Sequence, residues 1–201
     1  MDPRERAAPS APLEEWLDRL AQKDGAPGGG SASGVLPGIG AALLAMVLAY
    51  SDPDDEHGLR ARVDALRADA LRDTLADAAA SAGLGAALAR PADDLERDAA
   101  IRDTCETGAR TSVQLGDTGA ALVALLAETA DHTVAGVRAD LGVAAEAIAA
   151  GLGGALINLR GDLALIARHG GEEPVDVLAA AERMDAARLT AAAQATGVRE
   201  G

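Results

Sequence analysis

The stretch Pro27-Gly28-Gly29-Gly30-Ser31-Ala32-Ser33-Gly34, continued by an apolar segment that includes Met46-Val47 and ends near Tyr50, decides how the rest of the chain is read. Three consecutive glycines favour neither helix nor strand and reach backbone conformations closed to other residues. The serine behind them can cap a helix, and the long apolar run that follows is the usual form of a helix start. A glycine turn feeding a helix leaves bare N–H groups beside the positive end of the helix dipole, a place for an anionic or carbonyl-bearing ligand. Such a tract also reads as a flexible linker. The proline at its entry and the lack of a polar spacer before the helix argue for the helix start instead. No Gly-Lys-Ser/Thr follows, so it is not a nucleotide-binding P-loop.

Upstream of this stretch, residues 1–9 read as a loose tail. Ser10 and Pro12 announce a short helix to about Gln22, with Leu13, Trp16, Leu17 and Leu20 on one face. Downstream, the helix after Ser31 carries Pro37, which kinks it unless the helix begins there. From Val35 to Tyr50 the segment is apolar all round, which suits the middle of a bundle. It is at the short end for a membrane span and its flanks have no positive bias, so a buried core helix is expected and no membrane partner.

Glu56 to Ala89 reads as a long helix ended by Pro91, with Leu59, Val63, Leu66, Ala70, Leu71, Leu75 and Ala78 at helical spacing. Asp93-Asp94 open another, carrying Leu95, Ile101, Cys105 and Ala109, with a bend expected at Gly116-Asp117. Asp140 leads a segment to about Arg168, in which Gly151, Gly153 and Gly154 would admit a neighbouring backbone. Gly170-Gly171 break the chain before a last helix from Pro174 to about Ala195. No convincing strand pattern appears, so the fold expected is all-α: an elongated bundle of about six helices in one domain, residues 10–197.

The bulk numbers narrow the function. Hydrophobic residues make up 49% of the 201, but aromatic residues only 1%, so burial rests on Ala, Leu and Val. Alanine is the best helix former yet buries little area, and a thin core gains from a second subunit, which predicts a homodimer. A net charge of −14 argues against nucleic-acid binding. One cysteine, Cys105, excludes an internal disulfide, and no secretory pattern opens the chain, which together predict a cytoplasmic protein. His57, His132 and His169 are scattered without metal-ligand spacing, so no metal is expected.

Three blocks resemble the cyclodeaminase/cyclohydrolase family, which includes formiminotetrahydrofolate cyclodeaminase and methenyltetrahydrofolate cyclohydrolase. The first is Pro27-Gly28-Gly29-Gly30-Ser31 with the small-residue helix and Met46-Val47. The second is Leu66 to Pro91, a long helix in which the family's acid falls on Asp77 and its aromatic position on Ser81. The third is Asp140-Leu141-Gly142-Val143-Ala144-Ala145 with Leu156-Ile157-Asn158-Leu159. The resemblance spans roughly residues 12–165. It implies an all-helical homodimer with a folate-type pocket near the glycine turn and the subunit contact. The chain departs from the pattern at Ala139, at Gly154, at Gln114 and at Val134-Ala135-Gly136-Val137-Arg138, and it lacks aromatic residues to pack on a pterin.

Both family reactions pass through a tetrahedral carbon bearing nitrogen, and need a group that takes a proton from the attacker and returns one to the leaving nitrogen. A partly buried carboxylate suits both tasks. Asp77 is the candidate, beside the alternative of a solvated helix aspartate. Asp140 is a second candidate, for orienting a substrate amine, or else an ordinary N-cap. Asn158 reads as a buried, satisfied amide or as a ligand contact, and Arg138 as a surface ion pair or a substrate-carboxylate ligand. Pro27, Gly28, Gly29, Gly30 and Ser31 complete the expected substrate-binding set. No tightly bound cofactor is expected, a tetrahydrofolate derivative being the small-molecule substrate that the resemblance implies. Three readings stay open: a folate C–N enzyme, a relative acting on a non-folate amine or imine, and a non-catalytic helical dimer.

Overall fold

In the computed structural model, which describes residues 12–23 and 26–200, the chain is all-α. Among the described residues there are six helices: α1 (Leu13–Leu20), α2 (Gly29–Ser51), α3 (Leu59–Leu88), α4 (Arg97–Ala130), α5 (Arg138–Arg168) and α6 (Val175–Glu200), with a 3-10 turn at Ala135–Val137 before α5. The tail expected at residues 1–9 lies outside the described residues.

Helix α2 packs along both α3 and α5, and α4 and α6 complete the bundle around α5. Two clusters fill the interior. One joins Leu44, Val47 and Leu48 of α2 to Val63, Leu122, Leu126, Ile148 and Leu152. The other joins Ile101, Cys105 and Ala109 of α4 to Leu156, Leu159, Leu163, Ile166, Val177 and Met184. Alanine keeps the helix surfaces low, so glycine decides where backbones meet. A Cβ on Gly40 would stand 2.6 Å from Ile148 Cγ1 and 3.0 Å from the Ala144 carbonyl oxygen. A Cβ on Gly151 would run into the Pro37 ring and stand 2.9 Å from the Ser33 carbonyl oxygen. Pro37 has no N–H to offer the carbonyl four residues back, which is that of Ser33. The groove that results is filled by the bare backbone of Gly151.

Four expectations are corrected by these packing facts. Ser31 is not the helix cap: Gly28, in extended conformation, holds that place and the helix already includes Gly29 and Gly30. Gly116-Asp117 do not break α4, which runs from Arg97 to Ala130, and Met184 packs where a Gly116 side chain would stand. Leu95 lies before α4 and is 99% exposed, so it is no part of the core. Asp140 is not an N-cap, a place taken by Val137, but sits in the first turn of α5, where its charge suits the helix dipole. Two aspartates hold the turn before α3: Asp52 accepts from the Glu56 and His57 amides within it, and Asp55 from the Arg60 amide in the first turn of the helix.

Helices α2 and Ala135–Arg168 are each long and apolar enough to cross a membrane, and half of each such window is buried inside the bundle.

Replacing Gly151 by Ala should destabilise the fold by about 1–3 kcal/mol, because the added methyl meets a ring and a carbonyl that cannot rotate away. Gly153→Ala, whose Cβ would stand 3.4 Å from the movable Arg188 Cδ, should instead be neutral or slightly stabilising through helix propensity. Urea unfolding of both variants checks the contrast.

Candidate active site

The glycine turn, the middle of α3, the first half of α4 and the last half of α5 enclose a cleft of about 430 Å³. Gly28, Gly29 and Gly30 form one wall, and Asp77, Ala80, Ser81 and Leu84 of α3 another. Thr104 and Gly108 of α4 form the floor, and Ile157, Asn158, Gly161, Asp162 and Leu165 of α5 the far side. The first ladder bond of α2 joins the Ala32 amide to the Gly28 carbonyl, 3.0 Å, so the amides of Gly29, Gly30 and Ser31 have no partner within their own helix.

Helix α3 reaches this point with its polar face inward. Asp73, Thr74 and Asp77 are all buried there. Asp73 is satisfied, accepting from the Thr118 hydroxyl at 2.8 Å and from Arg72 at 3.2 Å. Asp77 differs: it is 5% exposed, and its Oδ2 has no hydrogen-bond partner among the described residues. Its carboxyl lies so close over Gly30 that a Cβ there would overlap it.

Burial drives the Asp77 carboxyl from its ordinary 3.8 up to about 6, because a charge withdrawn from water is penalised. The nearby Ser31 hydroxyl acts the other way but is outweighed, and its oxygen, fully buried, makes no hydrogen bond of good geometry. Asp162 is raised further, to about 7, first by burial and second by the charge of Asp77. Burial and the charge of Asp162 push the Cys105 thiol up to about 11, so this buried cysteine is no nucleophile.

The structure brings together Gly28, Gly29, Gly30, Asp77 and Asn158, with Pro27 and Ser31 buried directly beside them. Asn158 is half-buried and makes no hydrogen bond to any described residue. Its amide faces Gly29, where a Cβ would stand 3.4 Å from Oδ1. The alternative of a buried, satisfied asparagine is therefore not what is found. Asp140 and Arg138 are not brought to the cleft of the same chain. Eighteen residues separate Asp140 from Asn158 on one helix, which at about 1.5 Å per residue is roughly 27 Å. Arg138 is exposed and lines a different hollow, with Leu126, Thr133, Leu141 and Gln194.

Asp162 was not singled out in the sequence, although a signal was there. It follows Asn158 by four residues, so the two share a helix face, while Leu159, Leu163 and Ile166 turn to the core. Among the described residues no group of His, Cys, Asp and Glu is placed to hold a metal ion. Two carboxyl groups with raised pKa values in a cleft without basic or aromatic side chains can exchange protons near neutrality and attract a cation. An open cleft containing Asp77 also weighs against a purely non-catalytic module.

Residues 12–169 match the family model described as formiminotransferase-cyclodeaminase. No protein of curated function matches the sequence. The fold is similar to the crystal structure of formiminotetrahydrofolate cyclodeaminase from Thermotoga maritima, with a TM-score of 0.80 and 18% identity over 94% of this chain and 96% of that one. At that identity the likeness is one of fold.

The raised pKa of Asp77 has a sign that can be measured. The folded chain keeps a proton that the unfolded chain releases above about pH 4, so the stability this group adds is complete below that point and is lost as pH rises through about 6. Asp77→Asn should therefore match the parent protein near pH 4 and exceed it at pH 8, by up to roughly 3 kcal/mol. Chemical denaturation at the two pH values reads the difference; equal stability at both would mean an unburied carboxylate.

Proposed function

The chain belongs to the formiminotransferase-cyclodeaminase family, and from that premise we propose that it is an enzyme of carbon–nitrogen bond chemistry with Asp77 as its acid/base group. The observation that carries this reading is the unpartnered, buried Asp77 carboxyl pressed against Gly30 at the edge of an open cleft. The substrate class that follows from the family is a one-carbon folate adduct, formimino- or methenyltetrahydrofolate.

In cyclodeamination an amine nitrogen attacks the amidine carbon. The amidine enters protonated, so attack turns its nitrogen into an NH2 group. Asp77 takes the attacker's proton as the new C–N bond forms and passes it to that group. The group departs with the electron pair of its own C–N bond as ammonia and leaves the positive charge on the new N–C–N unit. In cyclohydrolysis water takes the attacker's place and a ring C–N bond opens. A carboxyl near pKa 6 is poised for both transfers at neutral pH, where an ordinary aspartate would only be a weak base. The bare amides at the start of α2 can hold a carbonyl or hydroxyl oxygen of the substrate in place.

A second reading has its own support. Among the described residues no aromatic and no basic side chain lines the cleft, and Ser81 stands where the family pattern has an aromatic. A pterin ring finds no stacking partner there and a glutamate tail no counter-charge, which favours a smaller, non-folate amine or imine. The same proton transfers by Asp77 serve that substrate.

The proposal extends to a homodimer. Ile39 and Tyr50 of α2 and Val143 and Ile157 of α5 are large apolar side chains left exposed on the two helices beside the cleft.

Incubation with formimino- and methenyltetrahydrofolate, followed by methenyl absorbance, is expected to show turnover that falls about 10²–10⁴-fold in kcat in Asp77→Asn. Turnover of neither, together with no rise in Tm on adding folates, would transfer the assignment to the non-folate reading. Undiminished kcat in the variant would remove Asp77 from the chemistry. Light scattering after gel filtration should give twice the chain mass of 20.1 kDa, and a monomer at working concentration would contradict the dimer.

A further inference from the structure

We propose that Asp162 is a second substrate-facing carboxylate, set across the cleft from Asp77, and that the pair selects a substrate whose reacting end is a cation bearing N–H groups, an amidinium or a protonated amine, over neutral or anionic analogues. This rests on the cleft being the reacting site.

Geometry supports it from two sides. Each carboxyl is seated against a glycine on a different helix: Asp77 over Gly30 of α2, and Asp162 over Gly108 of α4, where a Cβ would stand 2.7 Å from Oδ2. Any larger residue at either place would push the carboxyl out of position. Asp162 makes no hydrogen bond or ion pair with any described residue, whereas aspartates elsewhere on the protein, such as Asp94 and Asp185, take arginines as partners. Asp77 is nine-tenths buried with one oxygen unsatisfied. A buried polar atom without a partner costs free energy in the empty protein, and a bound donor would recover it. Beside Asp162 the cleft is open, because Gly161, which also lines it, has nothing within 4 Å of where its Cβ would be.

The charged and titratable groups around the pair are few. Asp77 comes from α3, Asp162 from α5 and the Cys105 thiol from α4; α2 contributes only glycine and serine there. Among the described residues no cation lines the cleft to balance the two acids, so their charge there is negative whenever either is ionised. Burial raises both acids, and the Asp77 charge raises Asp162 further; a bound cation beside them would favour their ionised forms. Two carboxylates can each accept from one nitrogen, so a substrate presenting two such centres, the attacking amine and the amidinium, satisfies both at once.

The test uses formamidinium chloride, neutral formamide and sodium formate as probes of nearly equal shape, with binding followed by NMR on the full chain. Formamidinium should bind more tightly than the other two, and its affinity should fall about tenfold or more in Asp162→Asn, with formamide unaffected. Should that variant fail to fold, Gly108→Ala, which displaces the Asp162 carboxyl without removing it, should weaken formamidinium binding in the same selective way. Equal binding of formamidinium and formamide, or formamidinium affinity untouched in a folded Asp162→Asn, overturns the proposal. Turnover lost in Asp77→Asn beside unchanged formamidinium binding in Asp162→Asn would remove Asp162 and leave the reaction assignment standing. Selective binding of formamidinium through Asp162 in a protein that turns over no folate adduct would uphold this proposal and count against the folate reading alone.

Discussion

The close approach of α2 to its neighbours is the contact on which the rest depends. A helix bearing glycine at 34, 40 and, at its start, 28–30 has no side chains to hold other helices away at those places. Thr74 and Leu115 fill the space over Gly34, Ile148 that over Gly40, and the Pro37 ring settles into the notch at Gly151. Dispersion falls steeply with distance, so a core of alanine and leucine with almost no aromatic residues needs such short separations to gain cohesion. The same approach carries the start of α2 onto α3 and so lowers Gly30 onto Asp77.

The cleft follows from that placement. A carboxyl deep between helices would be costly in most folds, and α3 already buries Asp73 at the expense of two partners, Thr118 and Arg72. Asp77 one turn later has no such support and holds its proton more tightly as a result. Asp162, reached from α5 and half-buried, is raised by partial burial and by the Asp77 charge as well. The protein thus keeps two carboxyls of raised pKa in a cleft where burial, more than ion pairing, governs ionisation, an arrangement suited to general acid/base chemistry near neutral pH.

Much of the architecture was legible because helix periodicity is local. The apolar spacing along Leu59–Ala78 and the stops at Pro91 and Gly170-Gly171 all act within a few residues of themselves. The turn at Pro27–Gly30 and the acid at Asp77 could be named by resemblance, and both line the cleft. Where expectation failed, a distant residue had intervened. Met184 packs over Gly116 in an unbroken α4, and Asn158, which reads as either a satisfied amide or a ligand contact, makes no hydrogen bond among the described residues and lines the cleft.

Sequence alone determined that this chain is helical, where its helices begin and end to within a few residues, and that it belongs with a family whose glycine turn precedes an acidic helix. Those are properties of near neighbours along the chain, set by propensity, capping and spacing. Tertiary structure alone decided which carboxyls share a cleft. Asp140 and Asp162 stand on one helix and look equally eligible in one dimension, yet only Asp162 faces Asp77. The reason is that protonation and ligand binding respond to solvent and charge in space. Crossing helices set these through contacts such as Gly30 on Asp77 and Gly108 on Asp162, between residues dozens of positions apart.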